Sequence, residues 1–343
     1  MSESTLIGTL IVLAAGFFQG TFLVPMKYTP KWDWENTWLG FSCAAYLLFP
    51  WILAALTVPD LRNAVFQTDP AAIGRTILFG LGWGLGALLM GLGVDYVGLA
   101  VGFAIILGLA ASIGTLIPLL VLTPEKLHGP GGVLILLGMA IMLLGIATCS
   151  WAGKLKENKS REREKDKLAA SKKSYGVGLA LCILSGVLSS CGSLGFAFGS
   201  TLTSSALRHG AGERSAPNLL WAIITLPVFV CNASYCAYLL VRRKSFRKFL
   251  QSGSGSHYWL AALMGALWLV GMVFYGIGAN QLGRLGPSIG WSILMSSVVI
   301  VANVWGLFTG EWEESGRKPV RIMMGGLAFL LAAIFIIGYS NSF

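Results

Sequence analysis

Apolar residues fall into ten long runs, at roughly 6–26, 37–58, 73–94, 97–122, 131–151, 175–200, 217–241, 258–280, 285–309 and 320–340. A helix of about 20 apolar residues crosses the hydrocarbon core of a bilayer. A backbone in lipid must satisfy its own hydrogen bonds, and the runs lack the alternating polarity of barrel strands. The pattern therefore predicts an all-α integral membrane protein with ten transmembrane helices. Prolines and charges separate most runs, at 30–35, 59–70, 124–130 and 311–319. The third and fourth runs are parted only by Asp95 and Tyr96. The start, MSEST, carries an acid and no base, so the first run is expected to be a retained span and not a cleaved leader.

One polar stretch divides the runs into five and five. Residues 1–151 form the expected first five-helix repeat, 152–174 a charged, solvated cytoplasmic linker, and 175–343 the second five-helix repeat.

Composition agrees with the pattern. Of 343 residues, 55% are hydrophobic and only 12% charged, about half the charged share of a soluble domain. Mean hydropathy is +0.72. A formal charge of +10 need not mean nucleic acid. Nineteen of the 25 Lys and Arg residues follow runs 1, 3, 5, 7 and 9. The positive-inside rule places those loops in the cytoplasm and both termini outside it.

The halves resemble each other. At an offset of 185, Gly80–Gly98 aligns without gaps on Gly265–Gly283, with six of nineteen positions identical, including Trp83 with Trp268. Asp95 meets Asn280 in the same frame. Five spans are an odd number, so the two copies must enter the membrane in opposite directions. Such inverted repeats are common in secondary transporters, whose sites lie near the midplane between the halves. The glycines of these segments, Gly80, Gly82, Gly84 and Gly86 among them, allow close helix approach.

No catalytic constellation is present. His128, His209 and His257 all lie in loops, and no HExxH, GxSxG or Walker-type loop occurs. The chain is not expected to be an enzyme, and no cofactor or metal is implied. The six cysteines show no CxxC spacing and are expected to be free buried thiols. No charged residue lies in the middle of a span, which favours a neutral substrate.

The intramembrane polar groups are amides and hydroxyls accompanied by aromatic rings. A sugar is held by hydrogen bonds to its hydroxyls and by an aromatic face against its C–H groups. The candidate substrate-binding residues are Gln19, Trp83, Trp268, Tyr275, Asn280 and Trp291. The same residues also suit helix packing. Other hypotheses are a metabolite or drug exporter and a membrane-embedded enzyme or lipid-handling scaffold.

Pro25-Met26-Lys27, the patch Trp32-Asp33-Trp34-Glu35-Asn36-Thr37-Trp38, the span from Tyr96 to Thr115, and Glu311-Trp312-Glu313-Glu314 through Val320 resemble the L-rhamnose–proton symporter family of the drug/metabolite transporter superfamily. The patches cover essentially the whole chain. The resemblance implies ten helices in two inverted repeats, and uptake of L-rhamnose or a related monosaccharide with a proton across a bacterial inner membrane. It also implies a polar, glutamine-bearing patch in span 8, where this chain has Gly271-Met272-Val273-Phe274. Superfamily members commonly have cytoplasmic termini, unlike the charge count here. Proton coupling would fall to Glu35 or Asp95, in that order, the acids nearest the spans. Lys27, Glu35, Glu311 and Arg317 are the expected cytoplasmic gate, with Lys27 or Lys31 as the expected partner of Glu35.

Overall fold

A computed structural model of the chain describes residues 3–163, 174–251 and 253–342. Among the described residues the fold is all-helical, without strands. Ten helical segments among the described residues are long and apolar enough to cross a membrane. They are spans 1 (Glu3–Tyr28), 2 (Trp34–Thr57), 3 (Pro70–Val97), 4 (Val101–Leu122) and 5 (Pro130–Lys159). The second half holds spans 6 (Tyr175–Arg208), 7 (Pro217–Arg243), 8 (Gly255–Gln281), 9 (Gly283–Phe308) and 10 (Arg317–Ser340).

The boundaries differ from the hydropathy pattern for local reasons. Spans 3 and 4 are separated at Gly98, whose φ of 89° lies in the region that glycine adopts without strain. The helix of span 5 runs on to Arg163, into the charged stretch, because nothing before that point breaks it. At about 1.5 Å per residue its 34 residues are longer than the hydrocarbon core of a bilayer requires. Residues 164–173 of the expected linker lie outside the described residues.

Among the described residues, two spans are irregular in mid-course. Span 2 has π-helical geometry at Cys43–Leu48, just before Pro50, which has no backbone N–H to give. Span 6 is built of three helices, Tyr175–Ser189, Cys191–Phe198 and Ser200–Arg208. Its joints fall at Ser190 and Gly199, within a run of small residues with weak helix preference.

Loop contacts sort the ends of the spans onto two faces. Lys27 at the end of span 1 and Lys156 near the end of span 5 both pair with Glu311, after span 9. Arg243 at the end of span 7 pairs with Glu35 at the start of span 2. On the opposite face Arg284 pairs with Glu125 at 3.1 Å, and Asn341 near the C-terminus donates to Thr5 near the N-terminus at 3.2 Å. The first face therefore carries the basic loops.

The packing has a regular exchange pattern. Span 3 lies on span 6 as span 8 lies on span 1, and span 7 on span 3 as span 2 on span 8. Span 9 lies on span 1 as span 4 on span 6, and span 4 on span 5 as span 9 on span 10. Spans 2 and 7, 4 and 9, and 5 and 10 pair directly. Exchanging each span with the one five places along leaves these contacts unchanged.

Candidate functional site

Trp83 and Trp268 each lie thirteen positions after the first residue of their spans, Pro70 and Gly255. Thirteen rises of about 1.5 Å place both rings about 20 Å along their helices, near mid-span. Their ring centroids are 5.8 Å apart, with the planes at 36°. Trp268 is buried and Trp83 half-buried.

Both irregular spans meet this pair. Tyr46, inside the π-helical segment, packs edge-on against Trp268 at 4.9 Å. Single π turns inside helices occur frequently at functional sites. Gly192, just past the first joint of span 6, lies under the other ring: a Cβ there would stand 2.8 Å from Trp83 Cδ2. Discontinuous helices near the midplane are the usual material of transporter sites.

Gln19 supplies the amide. Its Nε2 donates to the Trp268 carbonyl oxygen at 2.8 Å. The side chain lies across Gly271, where a Cβ would come within 2.8 Å of Gln19 Cγ. The polar group expected from span 8 is thus provided there by span 1, and the small Gly271 makes room for it.

Two helical turns from Trp268, Tyr275 belongs to a second aromatic group. Trp291 packs edge-on against it at 5.5 Å, and Phe196 lies tilted against it at 5.0 Å. Tyr275 and Trp291 are buried, and Trp291 Nε1 donates to the Ala110 carbonyl at 3.2 Å. Beside them Thr115 and Ser292, both fully buried, share a hydrogen bond of 2.7 Å between spans 4 and 9. Ser296 is fully buried one turn further on, and its hydroxyl has no protein partner. Asn280 is exposed at the end of span 8, apart from both aromatic groups.

Residues 1–342 match the family described as L-rhamnose-proton symport protein (RhaT). The chain belongs to the L-rhamnose-proton symport protein family. Similar proteins include an L-rhamnose-proton symporter of Yersinia pestis (strain Pestoides F), 28% identical over 353 residues and covering 98% of each chain. The L-rhamnose-proton symporter of Mannheimia succiniciproducens is 27% identical over 350 residues, again covering 98% of each.

The patches that carried the resemblance to the L-rhamnose-proton symport family organise the basic face. Trp32 is buried against Tyr258 at 4.8 Å, and Trp34 stacks on Trp38 at 5.2 Å. Lys248 Nζ lies 2.6 Å from Asp33 Oδ1. Glu35 is fully buried and accepts from Arg243 Nη1 at 3.0 Å and from Ser245 Oγ at 2.6 Å. The W-D-W-E patch thereby clamps the start of span 2 onto the segment after span 7. The partner of Glu35 is Arg243, not Lys27 or Lys31. The reason is positional: Glu35 opens a helix that packs on span 7 and faces inward.

The gate candidates divide accordingly. Lys27 Nζ donates to Thr309 at 2.6 Å and to the Glu311 carboxylate. Lys156 Nζ stands 3.4 Å from the other Glu311 oxygen and 4.9 Å from the ring centroid of Trp312. Partial burial pushes the Glu311 carboxyl up, but the Lys27 hydrogen bond and the Lys156 and Lys27 charges outweigh it, leaving it below the ordinary carboxylate value. Arg317 is exposed and is not among the cations of Glu311, while Lys156 takes the place expected for it. Lys156 belongs to the charged stretch, and only its helical continuation of span 5 brings it into reach. Asp95 is exposed at the end of span 3.

Proposed function

We propose that the chain takes up L-rhamnose or a closely related neutral sugar together with a proton, by alternating access. The carrying observation is the mid-span pair Trp83–Trp268, with the Gln19 amide held at Trp268 and two broken or bulged helices against it. Aromatic faces and an uncharged amide suit a sugar. The names of the relatives, L-rhamnose-proton symporters, support the solute and the coupling ion, and do not favour the exporter.

Two inverted five-helix repeats, one before the charged stretch and one after it, form the transporter. Support comes from the exchange pattern of span contacts and from the aligned tryptophans. Gln19, Trp83 and Trp268 form the sugar-facing layer, with Tyr275 and Trp291 behind it; Asn280 has the weakest support. Glu35 carries the proton in preference to Asp95, because it is buried between the repeats and Asp95 is exposed. Lys27, Glu311 and Lys156 close the cytoplasmic side. The basic face meets the cytoplasm of a bacterial inner membrane, with both termini opposite.

Uptake of labelled L-rhamnose into vesicles holding the purified protein tests the proposal. Accumulation driven by an imposed inward proton gradient, and competed by unlabelled L-rhamnose, is expected. No accumulation of L-rhamnose or any related sugar under that gradient would overturn it.

A further inference from the structure

We infer that the protein holds an anionic phospholipid of the cytoplasmic leaflet at the turn after span 7. A surface recess of about 610 Å³ is lined by Leu240, Val241, Lys244, Phe246 and Arg247. Its apolar part is exposed: Val241 is 80% and Phe246 61% accessible, where a water-soluble protein would cover them. Its polar part is two cations. Span 7 ends in five basic residues within seven positions, and three are already engaged. Arg243 binds Glu35, Lys248 binds Asp33, and Arg242 donates to the Tyr238 hydroxyl at 3.2 Å. Among the described residues, no acid pairs with Lys244 or Arg247.

The backbone is shaped to present these two. Lys244 has φ 55°, the only positive φ outside glycine among the described residues. Its N–H caps the helix by bonding the Leu240 and Val241 carbonyls, and the chain then turns into the short 3-10 helix Ser245–Leu250. Glycine would make that turn with less strain, so a lysine there is unfavourable for the backbone alone. It does bring an ammonium beside Arg247 at the rim of an apolar recess. A phosphate with acyl chains attached satisfies both halves of the recess at once, and free phosphate satisfies only one. The bound headgroup would also brace the segment that carries Arg243 and Lys248, the two cations that clamp Glu35 and Asp33. The inference needs the membrane embedding and the sidedness of the basic face, and does not depend on which solute is carried.

The test compares thermal stabilisation of the purified protein by phosphatidylglycerol, phosphatidylcholine and inorganic phosphate, with wild type beside Lys244→Gly/Arg247→Gln. Glycine keeps the left-handed turn, so the variant is expected to fold. Wild type should be stabilised by phosphatidylglycerol over phosphatidylcholine. The variant should lose about thirtyfold of that preference, about fivefold for each cation near an anionic surface. Equal response of wild type to the two lipids would overturn the site, as would an unchanged preference in the variant. Stabilisation by inorganic phosphate equal to that by phosphatidylglycerol would replace the lipid with a free anion and overturn it too. Sugar uptake in phosphatidylcholine vesicles reports separately on transport.

Discussion

Arg243 holds the fully buried carboxylate of Glu35 at 3.0 Å, joining the start of span 2 to the end of span 7. These spans stand five places apart, and they belong to opposite halves of the chain. A charge change at Glu35 therefore acts directly on a contact between the halves. Arg243 itself is 56% exposed, so it can return to water when its partner is neutral.

Glu35→Gln keeps an oxygen that accepts from Ser245 but removes the charge. The variant is expected to fold, to exchange labelled for unlabelled sugar across the membrane, and to lose accumulation driven by a proton gradient. Asp95→Asn is expected to leave that accumulation intact. Gradient-driven uptake by Glu35→Gln at the wild-type level would remove Glu35 as the proton carrier.

Trp83 is the better tryptophan to truncate. Trp268 is buried, and removing a buried tryptophan costs about 3–5 kcal/mol of stability, which would confuse a binding measurement. Trp83→Ala should weaken sugar binding about tenfold, the upper end of what a single aromatic contact contributes. Trp83→Phe should recover most of it. Unchanged affinity in folded Trp83→Ala would exclude the ring as a sugar platform.

The Glu311 contacts make a pH-dependent link between spans 1, 5 and 9. Its folded-state carboxyl is held below the ordinary value, so the stabilisation is complete above that value and is lost as pH falls through the lower one. Lys27 is 40% and Glu311 44% exposed, which limits the effect to about 1 kcal/mol. Unfolding curves of wild type and Glu311→Gln should differ slightly at neutral pH and converge in acid. Glu311→Lys gathers three lysines and should also slow transport. Wild-type transport by that variant would dismiss the gate.

How much of this was legible in the sequence depends on the range of each interaction. The ten spans were visible because lipid imposes one length and one polarity on every helix. The Trp83–Trp268 contact was suggested by an internal alignment, since a repeat relates positions far apart in the chain. Tyr46 and the break at Ser190 were not. Hydropathy averages over a span and is blind to one extra residue in a turn. The run Ser189-Ser190-Cys191-Gly192-Ser193 was the available sign for span 6. The partner of Glu35 was misassigned, and Lys156 was missed beside the expected Lys27 at Glu311, because nearest charge in sequence is a poor guide to nearest charge in space. Arg243 reaches Glu35 from 208 positions away, and Lys156 reaches Glu311 from 155.

Glycine substitutions separate the packed site from the surface of the same helices. A Cβ at Gly192 would stand 2.8 Å from Trp83 Cδ2 and 2.9 Å from its Cε2, closer than real Cβ atoms approach. The indole is rigid and is backed by Trp268, so it cannot yield without moving the pair. Gly192→Ala is expected to cost about 1–3 kcal/mol by overpacking, and to lower sugar affinity with it. Gly91, in span 3, has nothing within 4 Å of the same added atom. Gly91→Ala should leave stability unchanged or raise it by up to about 1 kcal/mol, the helix preference of alanine over glycine. Thermal unfolding of the two variants with and without sugar reads both effects. If Gly192→Ala unfolds and binds sugar as Gly91→Ala does, the ring of Trp83 does not rest on span 6, and the mid-span site is built differently.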